Sequence, residues 1–207
     1  MKINIQKSLK WSVGIAVITL VLAALFSVTS NALLSGVGWA LGMLLVLVIV
    51  LIGVLFDIIG VAATATAESP FHAMASEKVK GAKHAIRIAR NADRVANFCN
   101  DVIGDISGII SGTASAVVVV EIVIHLGHGD GSPLQYVVSV VFTSLVAALT
   151  VGGKAFGKTY AIKYSTHIIF QVGRLLCFLE ERLHIIIIKE KKKQKVAKRN
   201  AKKVSEY

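Results

Sequence analysis

Asn97, Asp101 and Asp105 recur every four residues in an otherwise apolar stretch, with Asn100 beside them. Residues three and four apart share a helix face, so this spacing lines up an amide and two carboxylates on one side. Oxygen ligands of that kind suit a hard cation such as Mg2+, which keeps some of its waters. Two further carboxylates, Asp57 and Glu68, flank the end of the preceding apolar run, with Thr64 and Thr66 between them, and Glu121 lies further along. Ionisable groups within a membrane span are costly and mark a pathway or a packing contact. Interhelical hydrogen bonding is the plainer reading of the same residues.

Other patterns carry less. His125, His128 and Asp130 could hold a metal, but a short polar loop explains them. Residues 152–159 match the phosphate-loop spacing, with Gly152, Gly157, Lys158 and Thr159 at its fixed positions. That motif needs a strand before it and a nucleotide-binding sheet around it. The chain has no room for one beside its apolar runs. No Ser/His/Asp or Cys/His arrangement is legible, so the expectation is that the protein is not an enzyme. The two cysteines, Cys99 and Cys177, read as free thiols.

These residues must be positioned by apolar helices. The chain has 207 residues, 55% hydrophobic and 17% charged, with a mean hydropathy of +0.70. That is more apolar and less charged than a soluble domain. About 20 apolar residues are needed to cross a bilayer. Four stretches qualify, at about residues 11–29, 39–60, 98–124 and 134–152. The net charge is +11, and all 23 basic residues fall on one side of this arrangement. They lie before the first span, between the second and third, and after the fourth. The positive-inside rule then places both termini in the cytoplasm. A cleaved signal peptide is the alternative for the first span, although its apolar core is longer than such peptides carry.

The expected fold class is therefore all-α: a polytopic membrane protein with four transmembrane helices, juxtamembrane amphipathic helices and a basic cytoplasmic tail. Residues 83–94 have helical character, with Ile86 and Ala89 on one side and Arg87 and Arg90 toward the other. Residues 160–188 repeat apolar positions at helical spacing, and read as an interfacial or cytoplasmic helix with a fifth span as the alternative. The tail at 189–203 holds nine basic residues, which suits solvent near anionic lipid; no aromatic platform supports nucleic-acid binding. Gly104, Gly108 and Gly112 also recur every four residues, with Ser107, Ser111 and Ser115 alongside. Small residues at this spacing let helices approach closely, a helix-packing seam and a candidate homodimer seam.

The organisation resembles the transmembrane domain of the cyclin M / CorB–CorC magnesium and cobalt transporter family. The corresponding stretches are Ala67-Glu68-Ser69-Pro70-Phe71, Asn91-Ala92-Asp93-Arg94, Asn100-Asp101 and Gly153-Lys154-Ala155-Phe156-Gly157-Lys158. The resemblance covers about residues 37–185, after an extra first span in 1–36 and before a polybasic tail at 186–207. It implies divalent-cation transport across the cytoplasmic membrane; together with the residues aligned on one helix face, the candidate Mg2+ ligands are Glu68, Thr66, Asn97, Asn100, Asp101 and Asp105. The regulatory CBS pair of full-length members is missing from this sequence, which leaves room for a separate regulatory partner.

The departures bear on function. Ala67 stands where the family has Ser, and the family's Asn pair aligns with Asn100-Asp101 only after a three-residue slip. Lys154 stands where the family has Glu, and Gly157 where it has Pro. A lysine ammonium a few Å from a divalent cation repels it strongly at the effective dielectric of a protein. The expectation is that Lys154 takes the cation position itself, paired with Glu68 or Asp101. The bland alternative is a lysine that snorkels to the inner interface. The two functional expectations are thus a divalent-cation transporter of reduced form and a non-transporting membrane scaffold or regulatory relative.

Overall fold

The computed structural model describes residues 5–34, 36–129 and 131–183, and these are helical with no strand among them. The polybasic tail and Asp130 lie outside the described residues. The elements are α1 (Ile5–Leu34), α2 (Trp39–Ala65), α3 (Ser69–Ser76), α4 (Ala82–Arg90), α5 (Ala92–Ala96), a π-helical segment (Asn97–Gly104), α6 (Asp105–His125), α7 (Pro133–Lys163) and α8 (Ser165–Leu183). Four helical stretches are long and apolar enough to cross a membrane: Ser12–Leu34, Trp39–Ala65, Ala92–His125 and Pro133–Lys163. This is the architecture of a multi-pass membrane protein. α8 is not among these four.

α2 is the central helix. Its buried residues Gly42, Val46, Val50, Gly53, Asp57 and Gly60 recur every three or four positions and so form one stripe. That stripe meets α6 and the π segment in antiparallel order. Gly42 faces Val118, Gly53 faces Ser107 and Gly104, and Gly60 faces Asn100. The neighbouring stripe of α2 receives α7 in parallel order. A methyl group at Gly153 would lie 3.1 Å from Val54, and one at Gly157 2.7 Å from Ile58. Small residues thus bring three backbones together, the way helices associate where lipid removes the hydrophobic drive. α1 packs along α6, with Ile15, Leu22 and Ala23 against Val102, Ile106 and Ile110. Most of the large apolar side chains left exposed, such as Leu44, Leu51, Leu55 and Leu145, sit on these same four helices. Lipid is their natural solvent.

A second packed layer closes the end where α2 and α7 finish. Phe71, Ala85, Ile88, Ala161 and Ile169 are fully buried there, drawn from α3, α4, α7 and α8. α4 and α8 cross in direct contact, because Gly81 and Gly173 carry no side chain at the crossing. Gly81 also has φ +89°, a conformation costly for any other residue.

Candidate polar junction between α2, the π segment and α7

The residues expected to carry a cation site divide between three environments. Glu68 lies beyond the end of α2. Its Oε2 accepts a hydrogen bond from Arg90 Nε at 3.0 Å and lies 3.3 Å from His72 Nε2. The Arg90 hydrogen bond is the main reason its carboxyl is held below the ordinary value of 4.5. Thr66, just after α2, has a buried hydroxyl without a hydrogen-bond partner. Asn97, Asp101 and Asp105 are all exposed. Asn97 contributes to a shallow cavity between α1 and the π segment, with Ile15, Ile18 and Arg94.

The third environment is the interior. Asn100 of the π segment presses onto Gly60 of α2, with its Cγ 2.7 Å from where a methyl group would stand. Its Oδ1 is buried and has no hydrogen-bond partner. One turn earlier on the same stripe, Asp57 is 5% exposed, and its Oδ2 is also without a partner. Buried polar groups are almost always satisfied, so two orphaned acceptors at one helix contact call for an explanation. Lys154 of α7 approaches the π segment nearby: its Nζ lies 3.6 Å from where a Cβ on Gly104 would be, and Gly104 faces Gly53, one turn along α2 from Asp57. Among the described residues, no ion pair joins Lys154 to Asp57, Glu68 or Asp101. The contact of α2 with the π segment thus holds two unpartnered acceptor oxygens, and one ammonium approaches the same segment at Gly104.

Magnesium wants several oxygens in near-octahedral geometry. The residues expected to supply them are not gathered: Glu68 is engaged by Arg90, and Asp101 and Asp105 are exposed. No group of three or more His, Cys, Asp or Glu side chains is placed to hold a metal among the described residues. The donors the interior does offer are Asp57 and Asn100. Asp57 sits beside glycines that let α6 approach, and that burial depends on tertiary contact rather than on spacing.

Of the glycine seam, Gly104 packs inside the chain, whereas a Cβ at Gly108 or Gly112 would meet nothing within 4 Å. The seam that joins α2 to its neighbours is built instead from Gly42, Gly53 and Gly60, with Gly153 and Gly157 opposite. Comparison with protein-family models, curated proteins and solved structures gives no match.

Proposed function

We propose that this is a multi-pass protein of the cytoplasmic membrane, with both termini cytoplasmic and a transmembrane domain of the CorB/CorC type, whose polar junction is organised around the ammonium of Lys154. The observation that supports it is the position of Lys154 Nζ beside Gly104, in the junction where Asp57 and Asn100 leave acceptor oxygens unpaired. A divalent cation about 5 Å from that ammonium would meet a repulsion of about 7 kcal/mol at an effective dielectric near 20. On this reading the chain keeps the frame of a cation transporter and serves as a non-transporting scaffold or regulatory relative. The lysine supplies in tethered form the charge that an ion supplies elsewhere.

A second reading is divalent-cation transport itself, with Mg2+ or cobalt as cargo. The two orphaned oxygens favour it, since acceptors without donors are what a hard cation uses. Lys154 would then have to move aside during transport.

Reconstitution into liposomes separates the two. Wild-type protein should give no Mg2+ flux above empty liposomes, and Lys154→Glu should gain Mg2+ binding. Wild-type flux that disappears in Asp57→Asn would overturn the first reading and support the second.

A further inference from the structure

The basic segment between α3 and α4 forms a cavity that the polar junction does not use. It measures about 560 Å³ and is lined by Lys78, Lys80, Lys83, His84, Gly81 and Cys177. The three lysines are exposed. Two carboxylates of α8 are engaged by other groups. Glu180 accepts from His84 and lies 3.5 Å from Arg87, and Glu181 lies 3.7 Å from Cys177 Sγ. Glu77 precedes Lys78 in the chain, leaving an excess of cations around the opening.

The backbone adds to this charge. Gly81 stands at the N-cap of α4 and brings no side chain to cap it. The N–H of Ala82 bonds to Val79 and that of Ala85 to Gly81. Those of Lys83 and His84 have no backbone partner among the described residues, and both residues line the cavity. An uncapped helix start with free N–H groups favours an anion, phosphate above all. Lys78 ends α3 in the left-handed conformation at φ +59°, closed by the N–H of Val79 on Met74 O, and this cap sets the turn that places the basic segment.

We propose that this cavity binds the phosphate of an anionic phospholipid headgroup. The lipid source follows from what adjoins it. Val79 lines the cavity itself and is 38% exposed, and Phe178, one residue past Cys177 on α8, is 59% exposed. A cationic opening beside uncovered apolar side chains fits the boundary between headgroup and acyl chain. The elements on either side of the basic segment, α2 and the helical stretch Ala92–His125, are of membrane length. The site is independent of whether a cation crosses the membrane.

The test uses the full chain in mild detergent, titrated with short-chain phosphatidylglycerol, phosphatidylcholine and inorganic phosphate. Phosphatidylglycerol should bind most tightly. The triple variant Lys78→Gln, Lys80→Gln, Lys83→Gln should weaken it about tenfold or more, because it removes three phosphate-facing cations. A charge-matched variant in the tail, Lys191→Gln, Lys192→Gln, Lys193→Gln, should change it by less than about threefold. Equal losses in the two variants would reduce the effect to general charge and overturn the proposal. So would phosphatidylcholine binding as tightly as phosphatidylglycerol. Inorganic phosphate matching phosphatidylglycerol would overturn the lipid assignment in favour of a soluble phosphate. If the triple variant fails to fold, Lys83→Gln alone carries the same comparison, with a loss of about threefold expected.

Discussion

Asn100 lies against Gly60 so closely that a methyl group at residue 60 would stand 2.7 Å from its Cγ. The contact joins the π segment to α2 and sets the depth at which Asn100 sits. Gly60→Ala must drive the amide out of this position, and overpacking of this kind costs about 1–3 kcal/mol. A lowered melting temperature in detergent is expected. The double variant Gly60→Ala, Asn100→Ala should recover most of the loss. An unchanged melting temperature in Gly60→Ala would mean that the two helices do not meet there.

The α4–α8 crossing makes a parallel demand. A methyl group at Gly173 would lie 2.8 Å from Gly81 O and 2.9 Å from Ala85 N. Backbone atoms cannot swing away as an amide side chain can. Gly173→Ala should therefore separate the two helices, with a loss of about 2 kcal/mol or more. Hydrogen exchange is the suitable measurement: amides of α8 should lose protection while those of α2 keep theirs. Loss of protection across the whole chain would mean that the layer and the bundle unfold as one unit.

Much of this arrangement was legible in the residues. The four apolar runs have the length and composition of spans, and α2 begins at Trp39 as its apolar pattern indicates. The fourth helix continues to Lys163 rather than stopping near residue 152. Charge ended the apolar run there, but Lys154, Lys158 and Lys163 are good helix formers whose long stems tolerate an apolar surface. The π segment was not legible, because a change of hydrogen-bond register leaves no mark on apolar periodicity. Asn97, Asp101 and Asp105 therefore read as one aligned face of an α-helix, whereas the chain winds through a π turn and all three are exposed. The burial of Asp57 needed knowledge of which helix would cover it.

The Glu68–Arg90 pair ties the end of α2 to the end of α4. Because Arg90 lowers the carboxyl of Glu68 in the folded protein, its contribution is present above the unfolded carboxylate range. It is lost as pH falls through the lowered value. Water screens the pair, whose side chains are 34% and 39% exposed, so its worth is at most about 1 kcal/mol. Melting temperatures of wild type and Glu68→Gln should differ slightly at pH 7 and converge as pH falls through the lowered range of the Glu68 carboxyl. A difference that persists in acid would show that Glu68 acts through packing and not charge.

Asp57 and Lys154 offer the sharpest test of the interior. Both belong to the α2–π–α7 junction, Asp57 through the stripe that faces the π segment and Lys154 through its reach to Gly104. Asp57 is buried and Lys154 half-buried, and charges removed from water in this way interact over longer distances than exposed ones. A double-mutant cycle with Asp57→Asn and Lys154→Met isolates that interaction from the separate effects of each change. Groups that share a network give coupling energies of about 0.5–3 kcal/mol. A favourable coupling in this range, read from melting or denaturant curves in detergent, would identify Lys154 as the interior counter-charge. Additive effects would instead make it a lysine that merely snorkels from α7 toward water.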